Sequence, residues 1–357
     1  MRIVHVVGTR PNFVKMAPVI AAARDRFGAS ENVVVHTGQH YDRAMSDVFF
    51  QELGVPEPQH MLGVGSGSHA EQAARVLERL EPVLREERPD LVLVPGDVNS
   101  SLAAALCASR LRVPLGHVES GLRSFDREMP EEINRIVIDH LSEFCFLHSK
   151  EAQGNLADEG VPAERARFVG NTMIDTLVAL EERIQSREAA AALGLRPGSY
   201  LLVTLHRPAL VDGPLLGDAM AALAGIAREV PVLFPVHPRT RARLVELGFG
   251  DVPGIDLAEP VGYLDFLSLQ ADAAGVLTDS GGIQEETTYL GIPCFTLRDN
   301  TERPVTVRAG TNTLIGLDPA RIREIPRLLG GADRTPQSPE LWDGHAAKRI
   351  VDVIAHW

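Results

Sequence analysis

Thr278-Asp279-Ser280 is followed by Gly281-Gly282, and then by Gln284, Glu285 and Glu286. The apolar run before it, 274–277, reads as a buried strand, and the residues after it read as a helix start. Two glycines at such a turn let a ligand approach the backbone, and free N–H groups at a helix start attract phosphate. The competing interpretation is a plain tight turn with Ser280 as N-cap. A second element of this kind opens the chain. After 3–7 comes Gly8-Thr9-Arg10-Pro11-Asn12-Phe13-Val14-Lys15, which brings two cations, Arg10 and Lys15, to a helix start. It lacks both the GxGxxG and the Walker A patterns, which disfavours nicotinamide and ATP chemistry. A solvated basic helix start is the alternative.

Acid/base chemistry has three candidate carboxylates. Asp97, in Pro95-Gly96-Asp97-Val98-Asn99, stands where a strand gives way to a helix, so catalysis competes with helix capping. Glu119, in Gly116-His117-Val118-Glu119-Ser120-Gly121-Leu122-Arg123, ends a buried strand. A carboxylate there must be paired or working, and Arg123 is the expected partner. Glu131 follows Pro130 at a helix start and lies at i, i+4 spacing from Arg135, so a surface ion pair is the competing interpretation. In the second half, two strands end in histidine closely followed by arginine: His206-Arg207 and His237-Pro238-Arg239. A dense polar cluster, Arg298-Asp299-Asn300-Thr301-Glu302-Arg303, follows the last long apolar run and can hold a sugar or a diphosphate. Thr37-Gly38-Gln39-His40-Tyr41-Asp42 is too polar for a core role.

The elements that carry these residues are short apolar runs alternating with longer helical patterns. The runs are 3–7, 33–36, 91–94, 114–118 and 144–147, and then, after a break near Val169-Gly170-Asn171, 201–204, 232–236, 254–257, 275–278 and 294–297. Near-continuous apolar strands separated by helices predict parallel sheets covered on both faces. Repeated on either side of a break, they predict two doubly wound α/β domains, residues 1–169 and 170–340. A helical stretch at 173–193 leads into the second, and 341–357 reads as a final helix that packs back on the first. Ligands of open α/β sheets collect at the carboxyl ends of the strands, which is where the candidate residues fall.

The chain has 357 residues and a formal net charge of −13. A nucleic-acid partner is disfavoured, because phosphate neutralisation needs a basic surface, while a nucleotide needs only a few local cations. No apolar run reaches the roughly 18 residues of a membrane span. Cys107, Cys145 and Cys294 lie in apolar surroundings without metal-ligand spacing. The start, MRIVHVVGTRPNF, has no leader pattern, and the whole reads as a cytoplasmic protein.

Taken in order, GTRPNFVKMAPVI, GHVESGLRS, PEEINR, VGNTMIDTL, LVTLHR, PVHPRTR, LTDSGGIQEE and RDNTERP resemble the non-hydrolysing UDP-N-acetylglucosamine 2-epimerases, from Met1 to about Gly316. The resemblance implies two Rossmann-like domains facing a cleft, the glycosyltransferase B arrangement. It implies a homodimer that interconverts UDP-GlcNAc and UDP-ManNAc with no cofactor and no metal. The implied mechanism couples loss of the hydrogen on sugar carbon 2 to departure of UDP, through 2-acetamidoglucal. Matching positions make Asp97, Glu119 and Glu131 the acid/base set, with His206 assisting at the diphosphate or in protonation. Arg10 and the Ser280-Gly281-Gly282 helix start would grip phosphate. Glu286 would take the ribose hydroxyls, and Phe266 would flank the uracil. Lys15 and Arg303 match further positions near the sugar and diphosphate.

Three departures from the family pattern stand out. GDVNS replaces the commoner GDTTT, Asn12 replaces the usual glutamate of the first loop, and HRPALVD replaces an HRREN-like run. Many bacterial members are activated by a second UDP-GlcNAc, at a QHREMLDQ-like loop and a nearby Arg-Gln pair. Here the loop reads Gln39-His40-Tyr41-Asp42-Arg43-Ala44-Met45-Ser46, and 64–69 contains no Arg-Gln pair. Weak or absent activation is therefore expected. The rival functions are a hydrolysing 2-epimerase releasing UDP and ManNAc, a UDP-sugar glycosyltransferase of the same fold, and a non-enzymatic sugar-nucleotide sensor.

Overall fold

Val, Ile and Leu dominate β1 (Ile3–Val7), β2 (Asn32–His36) and β4 (Leu91–Pro95), and these three, with β5 (Leu115–Ser120) and β6 (Phe144–Leu147), are buried at every position. A strand buried throughout has both faces covered, as parallel sheets require. The structure, a computed structural model, describes residues 1–38, 50, 52–332 and 335–357. The whole 39–46 loop singled out above, Gln39 to Asp42 included, lies outside the described residues.

Two short strands, β3 (His60–Met61) and β7 (Ala166–Phe168), complete a seven-stranded parallel sheet in the order β3-β2-β1-β4-β5-β6-β7. Its helices are α1 (Arg10–Phe27), α2 (His69–Glu87), α3 (Asn99–Leu111), α4 (Pro130–Leu141), α5 (Lys150–Asp158) and α6 (Thr172–Gln185). Helices α2, α3 and α4 pack side by side, and Val76, Leu80, Ala104 and Ile138 join Val4, Val6, Val92 and Val94 in one core.

The second sheet is six-stranded and parallel: β8 (Leu201–Thr204), β9 (Val232–Leu233), β10 (Ile255–Asp256), β11 (Gly275–Thr278), β12 (Cys294–Thr296) and β13 (Asn312–Leu314), ordered β10-β9-β8-β11-β12-β13. Its longer helices are α7 (Leu215–Ile226), α8 (Pro238–Glu246), α9 (Tyr263–Ala271) and α10 (Gly281–Leu290). Alternate residues feed separate cores on the two faces. Leu201, Val203 and Leu277 enter one, and Tyr200, Leu202 and Val276 enter the other. The expected strand 232–236 is cut to two residues, because Pro235 has no N–H to continue the ladder. The expected helix 173–193 is interrupted at Glu188, whose φ is +48°.

The chain divides into two compact units, Met1–Ala179 with Glu340–Trp357, and Leu180–Pro339. The division falls within α6. The last helix, α11 (Ala346–Ala355), packs on α1. Asp175 accepts from the Ala346 and Ala347 N–H groups at 3.1 and 2.7 Å, and Trp342 Nε1 donates to the His148 carbonyl at 2.9 Å. The fold is α/β, with two Rossmann-like, doubly wound parallel-sheet domains of the glycosyltransferase B class.

Candidate active site

In the first sheet the strand order reverses between β1 and β4, so the loops after these strands lie at a topological switch point. Asn12 joins them. Its Oδ1 accepts from Gly8 N at 3.3 Å and Thr9 N at 3.2 Å, while its amide donates to the Pro95 carbonyl at 3.5 Å. Arg10, the first residue of α1, is exposed. Lys15 lies further along the helix, in its second turn. It is buried and ion-paired with Glu119.

Glu119 occupies a break in the β5–β6 register between Val118 and Ser120, with φ +68°. A bulge re-aims one side chain, and the left-handed backbone costs a residue with a Cβ roughly 1–2 kcal/mol. Gly96 lies against the pair. A Cβ there would stand 3.0 Å from Lys15 Nζ and 3.2 Å from Glu119 Oε2, and its φ of +59° also calls for glycine. Arg123, the expected partner of Glu119, is engaged elsewhere. It holds Asp139 Oδ2 at 2.8 Å and both oxygens of Glu159 at 2.6–2.7 Å.

Asp97 is half-buried and accepts from Arg135 Nη2. It does not cap α3, whose N-cap is Val98. Arg135 Nη1 donates to Glu132 at 2.9 Å, so this arginine joins Asp97 to Glu132 and makes no i, i+4 pair with Glu131. Buried Glu132 in turn accepts from Ser124 N, Ser124 Oγ and Phe125 N at 2.8–2.9 Å. Those bonds hold Phe125 at φ +59° with 77% of it exposed. Glu131 is half-buried in the first turn of α4 and takes part in no ion pair among the described residues. Beneath Gly96, His117 Nε2 lies 2.8 Å from the Gly96 carbonyl and Nδ1 lies 2.6 Å from Asp139 Oδ1. Burial pushes the Asp139 carboxyl up. The His117 contact, Arg123 and Ser120 together outweigh it and leave the carboxyl below the usual carboxylate range.

The second sheet reverses between β8 and β11. Asp279, at the end of β11, is buried, and its Oδ2 accepts from His206 N at 2.9 Å and Arg207 N at 2.8 Å. Its Oδ1 lies 2.9 Å from His206 Nδ1, and the His206 side chain is 61% exposed. Burial pushes Asp279 up, but the His206 ring and the two N–H groups hold it below its ordinary value. The other His–Arg strand end is a surface cap. Exposed His237 accepts from Arg239 N at 3.3 Å, and Arg239 pairs with Asp212.

Ser280 is the N-cap of α10, but its hydroxyl makes no capping bond. Gly281 and Gly282 are the half-buried first two residues of the helix. A Cβ on Gly281 would stand 2.8 Å from Arg303 Cζ, so the glycine admits the guanidinium. Arg303 donates to Glu285 at 2.8 Å and to Glu302 at 3.4 Å, while Arg298 holds both oxygens of Glu302 at 2.7 and 3.1 Å. Glu286 is buried and accepts from Tyr263 Oη at 3.1 Å. Phe266, half-buried one turn further along α9, packs on the core that contains Leu269, Val276 and Ile283.

A family profile described as UDP-N-acetylglucosamine 2-epimerase matches residues 23–355. The chain belongs to the UDP-N-acetylglucosamine 2-epimerase family. It is 40% identical to the UDP-N-acetylglucosamine 2-epimerase of Methanococcus maripaludis, over 98% of this chain and 97% of the relative. It is 39% identical to the UDP-2,3-diacetamido-2,3-dideoxy-D-glucuronate 2-epimerase of Pseudomonas aeruginosa, over 99% of each. The crystal structure of the Methanocaldococcus jannaschii UDP-GlcNAc 2-epimerase, in complex with UDP-GlcNAc and UDP, superposes with a TM-score of 0.92 at 38% identity over 100% of both chains.

Within the first unit of this family member, Asp97 and Glu119 stand at adjacent strand ends, and α4 carries Glu131. Within the second, His206, Ser280 and Gly281 flank the switch point. Sequence reasoning missed Glu132, Asp139 and Asp279 as supports. Each is an acidic residue on a core-facing position, and burial of that kind demands partners. That was the available signal.

Proposed function

We propose that this chain interconverts UDP-GlcNAc and UDP-ManNAc without hydrolysis. The observation that carries the reading is the pair of strand-end sites. The first unit holds carboxylates beside fixed cations, and the second has a glycine-opened helix start with a buried ribose-sized acceptor, Glu286. A carboxylate of the Asp97, Glu119 and Glu131 set takes the proton from sugar carbon 2. That C–H electron pair becomes the carbon 1–carbon 2 double bond, while the carbon 1–oxygen bond breaks and its electrons leave with the diphosphate of UDP. The products are 2-acetamidoglucal and UDP. Re-addition of UDP, with a proton delivered to the other face of carbon 2, gives the epimer.

The N–H groups of Gly281 and Gly282 and the exposed Arg10 stabilise the charge that grows on the diphosphate. His206, held by Asp279, donates there or in protonation. Arg303 lies against Gly281, and Lys15 is paired with Glu119. Phe266 flanks the uracil. The enzyme works as a cytoplasmic homodimer, and sedimentation equilibrium returning a monomer mass would remove that last element.

Proton NMR of UDP-GlcNAc with enzyme in deuterated water tests the reaction. The expected result is UDP-ManNAc with deuterium at carbon 2, no free sugar and no need of an acceptor. Free ManNAc and UDP would instead establish the hydrolysing reaction. UDP-2,3-diacetamido-2,3-dideoxy-D-glucuronate belongs in the same assay, because a relative of similar identity acts on it. UDP-ManNAc alone is expected to turn over without added UDP-GlcNAc, and a strong requirement for the latter would refute the absence of a second activating site.

A further inference from the structure

Glu286 is buried on α10, and among the described residues no cation pairs with it. Arg303 is held by the neighbouring Glu285 and by Glu302. What holds the Glu286 carboxyl is a neutral donor from another helix: Tyr263 Oη gives its hydrogen to Oε1 at 3.1 Å. Tyr263 is the first residue of α9, and Phe266 follows it one turn later. The bond therefore ties the helix that carries the aromatic ring to the helix that carries the acid. We propose that Tyr263 is a positioning residue for nucleotide recognition: its hydroxyl fixes one oxygen of Glu286, leaves the other for the vicinal ribose hydroxyls, and locks the base-flanking helix to the ribose-binding one. This rests on the reading of Glu286 as the ribose acceptor.

The charge balance around Glu286 agrees with the geometry. Burial pushes the carboxyl up to about 7, and Glu285 on the same helix pushes the same way. Tyr263 and the buried Gln270 amide, both from α9, oppose it. The Tyr263 phenol is itself raised well above its ordinary value, by burial first and then by Glu286, so it stays a donor. A donor removed from a carboxylate destabilises the charged form, so loss of this hydroxyl moves the ionisation of Glu286 to higher pH.

The test is calorimetric binding of UDP and of 2′,3′-dideoxy-UDP to the full chain between pH 6 and pH 8.5. The affinity ratio of the two ligands cancels titration of the phosphate that both share. In the wild type the ratio should rise through about pH 7. Tyr263→Phe keeps the ring. It should lower the ratio about three- to tenfold at neutral pH and move its midpoint upward. Glu286→Gln should flatten the ratio across the range. A Tyr263→Phe ratio that matches wild type at every pH overturns the positioning role. A Glu286→Gln ratio that matches wild type overturns the ribose reading instead, so the two failures are distinct. In turnover, the Tyr263→Phe loss should fall on KM. A loss confined to kcat also overturns the proposal.

Discussion

The two strand-end sites handle their acids in opposite ways. In the first unit, Glu119 is paired with Lys15, and Asp97 with Arg135, which it shares with Glu132. In the second, three arginines gather near Glu302, while Glu286 accepts from the Tyr263 phenol and pairs with no cation among the described residues. The difference follows from the task proposed for each. A group that accepts a proton from carbon works as a carboxylate, and a cation beside Glu119 or Asp97 balances that charge. A group that accepts hydrogen bonds from ribose hydroxyls needs placement more than charge, and a neutral donor supplies placement without competing for the ligand.

The harshest test of this contrast neutralises each kind of acid. Asp97→Asn, Glu119→Gln and Glu131→Gln should each lower kcat about 10²–10⁴-fold, with UDP affinity near wild type. Near-normal turnover in all three would end the assignment of chemistry to the first unit. The complementary change removes a cation. Lys15→Met removes the cation from the buried Glu119 carboxylate beside Gly96. Breaking a buried pair from one side costs about 3–5 kcal/mol, so the unfolding midpoint in urea should fall steeply. A variant as stable as wild type would mean that the pair contributes nothing to the fold, and the proposed contrast would fail.

A weaker effect separates the sites by pH. Glu286 is raised from 4.5 to about 7, and burial is the main cause. The folded chain therefore keeps this proton to higher pH than the unfolded chain does. The stability from the neutral acid is complete below about 4.5 and is lost as pH rises through about 7. The full difference is about 3 kcal/mol. Glu286→Gln should lack that slope, so the gap between wild-type and variant stability should change between pH 5 and pH 8. Asp279 runs the other way, because its folded value is depressed. Its contribution is present above the ordinary carboxylate value and is lost on acidification. Parallel stability curves for wild type and Glu286→Gln would place Glu286 among ordinary surface acids.

Much of this was legible in the sequence, and the reason is periodicity. Runs such as 91–94 and 274–277 are apolar at every position, as a strand buried on both faces favours. Strands β3, β7 and β13 escaped notice because two or three residues carry no period. The glycines and acids at the strand ends were visible because such residues are out of place in a core. Their partners were not. The Lys15–Glu119 pair spans 104 residues, and only the β5 bulge at Glu119 turns that side chain toward it. Glu132 was hidden by its neighbour, because two adjacent glutamates at a helix start look alike until one is seen to hold Ser124 and Phe125.

The smallest expected effect is also the most discriminating for the second unit. An N-cap serine whose hydroxyl holds a helix N–H typically loses about 1 kcal/mol of stability on replacement by alanine. Ser280 occupies that position with an extended backbone, φ −87° and ψ 136°, yet its hydroxyl caps nothing. The turn is fixed by other bonds: Ser280 N donates to Thr278 Oγ1 at 2.9 Å, and the Ser280 carbonyl accepts from Gln284 Nε2 at 3.2 Å. Ser280→Ala should therefore change stability by less than about 0.5 kcal/mol. A hydroxyl beside a phosphate-binding helix start, left out of the fold, is available to the diphosphate. The same variant should then weaken UDP binding by about three- to tenfold, the worth of one hydrogen bond. In Glu119→Gln the pattern reverses, with turnover lost and UDP binding kept. Should Ser280→Ala cost stability and spare UDP, the serine is a helix cap after all, and the phosphate grip would rest on the Gly281 and Gly282 backbone alone.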